Sequence, residues 1–298
     1  MEDWNKKVRL VRILNDDQES KYAAIEGEVE GTDGEKQSAV LVFEKTPFHF
    51  DEVVKLMQDD QQKFKVDFIN DIYHKYTVEA RSACNDIKLA FIHPATPLHI
   101  KKYSKKQICL INETSERYQT IVRPYIEQNQ LNSQWVYNII DGKSERERIL
   151  LETDQFLLLP DLMWDGKSMD SLHLLVLVKS RSIHSIRDLK PEHIPLLESL
   201  LETTLDFIST KYGIAKNVIR AFFHYPPTFY HLHVHFTTIH NRICGCEVER
   251  AHLVTDVMDH LALKPDYYQT KTLYYKIPVN DKLYQLFEES EQTKNKEA

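Results

Sequence analysis

Runs of alternating apolar and polar residues set out the first third of the chain. Val8-Arg-Leu-Val-Arg-Ile-Leu14, residues 22–30 and residues 38–44 read as short strands, joined by polar turns that contain Gly or Asp. Asp51 to Gln58 fits a short helix with Asp51 as its N-cap and Val53, Val54 and Met57 as an apolar stripe. Strands are expected again over 62–69, 72–79 and 87–93. This half is therefore a strand-rich module with one helix. Pro94 and Pro97 then punctuate the chain, and Thr96 before Pro97 marks a helix start with proline in its first turn. Lys101, Lys102, Lys105 and Lys106 follow, spaced to stack as i,i+4 pairs that face solvent or an anion.

The remainder alternates strands with longer periodic segments. A helix is expected from Glu113 to Gln128, and strand-like runs at Arg148–Leu151 and Phe156–Leu159. His173-Leu-Leu-Val-Leu-Val178 is continuously apolar after its first residue, as suits a buried central strand. A helix begins near Asp188 with Pro191 in its first turn, and Ile194, Leu197, Leu201, Leu205 and Ile208 give it a core stripe. Strands at Val218–Phe223 and Tyr230–Ile239, a helix over 247–263 and a strand near 272–277 complete the pattern. The fold class is α+β: a strand-rich N-terminal domain over 1–96, a hinge over 97–112, and a C-terminal domain over 113–286 of antiparallel sheet and helices. The polar tail 287–298 is expected to be disordered.

The chemistry concentrates in His224-Tyr-Pro-Pro-Thr-Phe-Tyr-His231-Leu-His233-Val-His235-Phe236. On a strand, His231, His233 and His235 share one face while Leu232, Val234 and Phe236 share the other. Imidazole fills a core poorly and costs free energy when buried unpaired, so three in strict alternation call for a chemical reading. Two are open. Histidines two apart on a strand can ligate zinc. Alternatively, one imidazole attacks phosphorus while its neighbours orient it. His-Glu-x-x-His is absent, and no carboxylate lies within the triad to orient a ligand histidine. These observations favour the nucleophile and a site without metal or other cofactor.

Composition narrows the partners. The net charge is −7 over 298 residues, against the basic surface that a binder of long DNA or RNA uses. Gly142-Lys143-Ser144 and Gly166-Lys167-Ser168 mimic the end of a phosphate loop, but Tyr137 and Asp161 stand where its first glycine belongs. No apolar segment approaches the ~20 residues of a membrane span, and the start is polar. The expectation is a reduced, intracellular protein with four unpatterned cysteines, cytoplasmic and with nuclear access left open.

The motifs taken together resemble the scavenger mRNA-decapping branch of the histidine triad superfamily. They are Trp135-Val-Tyr-Asn-Ile139, Pro160-Asp-Leu-x-Trp164, Ser185-Ile-Arg-Asp-Leu-x-Pro-Glu-His-Ile-Pro-Leu-Leu197, His224 through Phe236, and Val248-Glu-Arg-Ala-His-Leu253. The resemblance runs from about Asn70 to Leu286. It implies metal-free hydrolysis of a 7-methylguanosine cap dinucleotide or short capped RNA, releasing 7-methylguanosine monophosphate and a 5′-diphosphate. It also implies a homodimer with an exchanged N-terminal domain.

By the same resemblance His233 is the nucleophile, flanked by His231 and His235, and His224 stabilises charge on the phosphoryl oxygens. Trp135 stacks on the cationic methylated base, Leu162 closes the sandwich, and Glu145 with Asp161 and Pro160 meets the guanine edge. Thr228 meets phosphate. Asn70, Tyr73, Lys102 and Lys105 resemble a lid over the phosphates and second nucleoside. Three departures bear on phosphate affinity: Lys105 where arginine is familiar, Met163 for a lysine, and Thr228-Phe229 for a Ser-Tyr pair. A general dinucleoside polyphosphate hydrolase and a cap-binding protein without turnover are the alternatives.

Overall fold

A computed structural model describes residues 7–30, 34–46, 49–59, 61–70, 73–78, 86–128, 133–241 and 245–297. The chain divides into two compact units, Met1–Lys106 and Gln107–Ala298. Among the described residues no helix is long and apolar enough to cross a membrane.

The N-terminal unit holds β1 (Val8–Asp17), β2 (Tyr22–Glu30), β3 (Lys36–Lys45), α1 (Phe50–Gln58), β4 (Phe64–Asn70), β5 (Tyr73–Val78), β6 (Ile87–Ile92) and α2 (Pro97–Tyr103). Strands β1, β2, β3 and β6 form an antiparallel sheet in that order, and β4 and β5 a separate hairpin. Its core is small: Leu14, Ala24 and Val40, with Ile100 and Tyr103 of α2 packed against them. The expected strands are present, although residues 72 and 79 of one lie outside the described residues. α1 begins one residue before its expected cap, with His49 as N-cap and no buried residue, so the Val53–Val54–Met57 stripe finds no core.

α2 starts where expected, with Thr96 as a capping residue and Pro97 in the first turn. It ends at Tyr103, and Ser104 turns the chain extended while its hydroxyl donates to the Ile100 carbonyl. Lys105 and Lys106 therefore lie beyond the helix, and the i,i+4 lysine stack does not form. The boundary between the units, Lys106 to Gln107, falls within the segment 97–112: α2 packs on one core and the next strand pairs within the other.

The C-terminal unit begins with β7 (Ile108–Glu113). α3 (Ser115–Arg117) runs through a π-helical turn at Tyr118–Val122 into α4 (Arg123–Gln128), where a single helix is expected. Then come α5 (Gln134–Ile140), β8 (Leu151–Glu152), β9 (Phe156–Pro160), β10 (His173–Val178), α6 (Ile194–Tyr212), β11 (Ile219–His224), β12 (His233–Thr238), β13 (Ala251–Leu253), α7 (Val254–Leu263), α8 (Tyr267–Thr270), β14 (Leu273–Pro278) and α9 (Lys282–Glu297). Six strands form an antiparallel sheet in the order β13-β11-β12-β10-β9-β8, and β7 pairs with β14.

The two-residue period of the strands gives the larger sheet two different faces. Phe156, Leu158, Leu174, Val176, Val234, Phe236, Ala221 and Phe223 join the main core with Leu197, Leu200 and Ile208 of α6 and Val257 and Leu261 of α7. The alternate residues Leu157, Leu159, Leu175 and Leu177 form a second cluster with Val136 and Ile139 of α5. All six residues of β10 are buried, as the continuous apolar run predicts.

Three expectations differ from the structure. α6 starts at Ile194 after two 3₁₀ turns, and its deepest residues are Leu197, Leu200, Thr204 and Ile208, with Ile194, Leu201 and Leu205 only partly buried. Residues 251–253 of the expected 247–263 helix instead form β13, which covers the edge of β11. The polar tail is helical, because Leu283 and Phe287, one turn apart on α9, are buried in the main core and Arg117 pairs with Glu291.

One buried ion pair ties these layers. Arg187 and Glu113 have side chains with 0% exposure. The guanidinium donates from Nε and Nη2 to Glu113 Oε1 (2.9 and 2.7 Å), and from Nη1 to the Tyr268 and Lys271 carbonyls (2.6 and 2.7 Å). The Tyr275 hydroxyl donates to Glu113 Oε2 at 2.7 Å, and the Tyr225 hydroxyl to Oε1.

Candidate active site

Strand β12 places two of the three triad histidines. His233 lies opposite Leu177, and His235 lies between Leu175 and Phe222, so both occupy the sheet face that carries the smaller apolar cluster. His231 precedes the strand. The Leu232 amide donates to the Ile183 carbonyl and the Leu232 carbonyl accepts from Val178, which pulls the backbone out of the β11–β12 ladder before His233. A row of three imidazoles on one strand is thus two on the strand and one on its approach. All of them are buried, as is His224 at the end of β11.

Backbone carbonyls decide where the protons sit. His233 Nδ1 lies 2.7 Å from the His231 carbonyl, and a carbonyl only accepts, so Nδ1 carries the hydrogen. Nε2 of His233 is left as a lone pair. His231 Nε2 lies 2.6 Å from the Val178 carbonyl and is a donor by the same argument. His231 therefore fixes the His233 tautomer through its backbone, where the sequence suggested its side chain. Burial holds His233 neutral, with its pKa lowered to about 4 despite the opposing effect of the His231 carbonyl. Burial likewise lowers His224 to about 3, with the Arg250 cation adding to the effect. His231 and His235 are depressed for the same primary reason.

His233 lines a small cleft together with Ser185, Ile186, His224, Pro227 and His231. Gly245 packs on His224 with φ +102°, and a Cβ there would lie 2.5 Å from His224 Nε2. Only glycine fits both the backbone angle and the contact. Phe229 stacks on the His233 ring at 4.1 Å between centroids and 20° between planes, and meets Trp135 edge-on at 4.9 Å.

The residues expected to meet the base all belong to the same unit. Trp135, on α5, is 41% exposed although Val136 beside it is fully buried, and Leu162 is 81% exposed after β9. Such exposure of large apolar side chains suits a ligand surface rather than a core. Glu145 adopts a left-handed backbone (φ 56°) and pairs with Arg148, whose Nη2 donates to the Pro160 carbonyl at 2.9 Å. Asp161 is turned elsewhere: Oδ1 accepts from the Met163 amide at 2.8 Å, and Oδ2 lies 3.5 Å from His173 Nε2. Thr228 Oγ1 accepts from Arg250 at 3.0 Å.

Asn70, Tyr73, Lys102 and Lys105 belong to the N-terminal unit. Asn70 and Tyr73 are paired across the β4–β5 hairpin, and Tyr73 is exposed. Lys102 sits over the Tyr103 ring at 5.3 Å, and the Lys105 amide donates to the Leu14 carbonyl at 2.8 Å.

Sequence reasoning missed two residues. Arg250 lowers the pKa of His224, His233 and His235 from a motif noted only for its resemblance. His173 was read as the first residue of a core strand, yet its Nε2 lies 3.0 Å from His235 Nδ1. Asp161, His173 and His235 are also the cluster among the described residues whose ligand atoms lie within metal-binding range, all within 4.8 Å of one another.

Keeping these imidazoles neutral has a cost at low pH. Their folded pKa values lie below the unfolded value of ~6.5, so the unfolded chain binds more protons between the two. Their full contribution is present above pH ~6.5 and is lost as pH falls toward 4. Each affected histidine costs up to about 1.4 kcal/mol per pH unit in that window. Urea titrations should show flat stability from pH 7 to 8 and a loss of roughly 3–6 kcal/mol by pH 5. A stability unchanged down to pH 5 would contradict burial of the neutral forms.

An antiparallel sheet that gathers four buried imidazoles at one end, in the same unit as an exposed tryptophan, is the setting of a hydrolase active site. Two family models match the chain, "Scavenger mRNA decapping enzyme (DcpS) N-terminal" over residues 5–106 and "Scavenger mRNA decapping enzyme C-term binding" over residues 134–251. The chain is 38% identical to the m7GpppX diphosphatase of Mus musculus, with 96% of this chain and 86% of that protein covered. It is 38% identical to that of Homo sapiens, covering 96% and 86%, and 39% identical to that of Ascaris suum, covering 91% and 90%. The chain belongs to the scavenger mRNA decapping enzyme family.

Proposed function

We propose that this enzyme hydrolyses the residual 7-methylguanosine cap on a dinucleotide or short capped RNA, in keeping with its similarity to m7GpppX diphosphatases. The observation that carries the reading is the His233 tautomer, in which Nδ1–H meets the His231 carbonyl and Nε2 keeps its lone pair, on a residue that lines the cleft. Nε2 attacks the phosphorus next to 7-methylguanosine and the bond to the bridging oxygen breaks. A 5′-diphosphate leaves and a phosphoimidazole remains. Water then cleaves the N–P bond to give 7-methylguanosine monophosphate. His224 and Arg250 face the charge that develops on the phosphoryl oxygens.

Trp135 and Leu162 take the two faces of the base, and Glu145, held by Arg148, accepts from the guanine edge. The methylated base is cationic, so its stacking on Trp135 gains about 0.5–2 kcal/mol over unmethylated guanine. Trp135→Ala should therefore weaken binding of a methylated cap dinucleotide roughly 2- to 30-fold more than that of the unmethylated one. Mass spectrometry of the wild-type products should show 7-methylguanosine monophosphate. Equal losses for both ligands would return Trp135 to packing, and cleavage of unmethylated dinucleoside polyphosphates at the same rate would favour the general hydrolase.

The reading includes a homodimer with exchanged N-terminal segments. Its support is the apolar surface of the N-terminal unit, where Leu10, Ile13, Val66, Ile69 and Tyr73 are all more than half exposed.

A further inference from the structure

Strand β10 brings His173 against the back of the triad. Its Nε2 lies 3.0 Å from His235 Nδ1 and 3.5 Å from Asp161 Oδ2, so one nitrogen faces both an imidazole and a carboxylate. All three side chains are held in place. His173 is paired opposite Thr237 on β12, and Asp161 takes the His173 carbonyl with its amide and the Met163 amide with Oδ1.

Only one hydrogen fits between the two nitrogens, and the carboxylate decides which carries it. A carboxylate offers acceptors alone. With the hydrogen on His235 Nδ1, His173 would turn a lone pair toward Asp161 Oδ2, an uncompensated repulsion in a buried setting. With the hydrogen on His173 Nε2, one N–H is shared by His235 Nδ1 and Asp161 Oδ2, and both contacts are attractive. Burial keeps both rings neutral, so each has one hydrogen to place. His173 Nδ1 and His235 Nε2 are both buried with no hydrogen-bond partner among the described residues, so either arrangement leaves one outer N–H unmet and the Asp161 contact decides between them.

We propose that His173, set by Asp161, is a positioning residue that locks His235 as the Nε2–H tautomer and thereby presents a hydrogen-bond donor to the phosphoryl group attacked by His233. His235 Nε2 is itself buried without a partner among the described residues. Its ring centre lies 4.2 Å from that of His224 and 5.2 Å from that of His233. An unmet buried donor costs about 1–3 kcal/mol, and a phosphoryl oxygen drawn in beside His224 and His233 would relieve it. His233 and His235 thus take opposite tautomers two residues apart, one bare at Nε2 to attack and one protonated at Nε2 to donate. A backbone carbonyl sets the first and a carboxylate, through His173, sets the second.

The identity of the acceptor rests on the cap-hydrolysis reading; the tautomer does not. The same three side chains have the spacing of a metal site. The direct 3.0 Å contact between the nitrogens and the missing outer partner on either ring favour the shared hydrogen over an ion.

Long-range ¹H–¹⁵N histidine spectra of the full chain without substrate read each tautomer directly. His235 is expected as Nε2–H. His173→Gln keeps an N–H at the distal position and should preserve that state, with kcat within about fivefold of wild type, whereas His173→Phe should release it. In His173→Phe, kcat for a methylated cap dinucleotide should fall roughly 10- to 100-fold, the usual scale for loss of an orienting partner, with KM changed less than about threefold. If His173→Phe does not fold, Asp161→Asn answers the same question, since its amide can meet a His173 lone pair and let the hydrogen move to His235 Nδ1. A wild-type His235 in the Nδ1–H form overturns the proposal. So does an unchanged tautomer and kcat in His173→Phe or in Asp161→Asn. Loss of turnover on chelation with recovery on added zinc overturns it in favour of a metal. If the spectra agree and the methylated cap is not cleaved, the tautomer stands and the cap reading fails alone.

Discussion

Replacing His233 with Asn should reduce turnover of a methylated cap dinucleotide by more than about 10⁴-fold, the scale seen when a covalent nucleophile is removed. Nothing else in the site should change to match. The Asn amide nitrogen stands where Nδ1 stood and can still donate to the His231 carbonyl, so the local backbone keeps its partner. The substituted position carries no charge in either form, because burial holds the imidazole neutral at working pH. Equilibrium cap affinity is therefore expected within about threefold of wild type, and the urea midpoint within about 1 kcal/mol. Rapid-quench assays over hours would detect residual product. Steady turnover near the wild-type rate would remove His233 as the attacking group, and a matched loss of affinity would make it a binding residue.

The largest effect on stability should come from Arg187→Met. Both members of the Arg187–Glu113 pair are fully buried, and three nitrogens of the guanidinium satisfy Glu113 and two carbonyls. Removing one member of such a pair strands the other charge and costs about 3–5 kcal/mol. Lysine should not rescue it, since an ammonium cannot span acceptors arranged for a planar fork. Replacing both members with apolar residues should cost less than Arg187→Met alone, because no charge remains to be solvated. Urea unfolding of the two single variants and the double variant forms the test. A double variant as unstable as the sum of the singles would show that the pair contributes more than mutual neutralisation.

The sheet was legible because its strands keep strict registers of apolar residues. β9 read as a strand and β10 as a buried one, and the alternation in β12 gave the faces of His233 and His235 correctly. What the periodicity could not supply was anything decided by a distant carbonyl or carboxylate. His231 leaves the strand because Leu232 pairs with Ile183, nearly fifty residues away in sequence. His173 looked like a strand end, and only the pairing of β10 with β12 puts it against His235. The helix at 247–263 was drawn too long because Ala251 and Leu253 suit either period, and the open edge of β11 chose the strand. In α9 the charge run hid Leu283 and Phe287, two apolar residues sufficient to dock a helix.

The two faces of the six-stranded sheet are unequal, and the chemistry sits on the thinner one. A single seven-residue helix, α5, supplies both Val136 and Ile139 to the minor cluster and Trp135 to the outer surface. If a base stacks on Trp135 as proposed, its binding and the local order on that side would be linked, because the same short helix shields Leu157, Leu159, Leu175 and Leu177. The opposite side, thick with α6 and α7, supplies the rigidity against which this thinner wall can breathe.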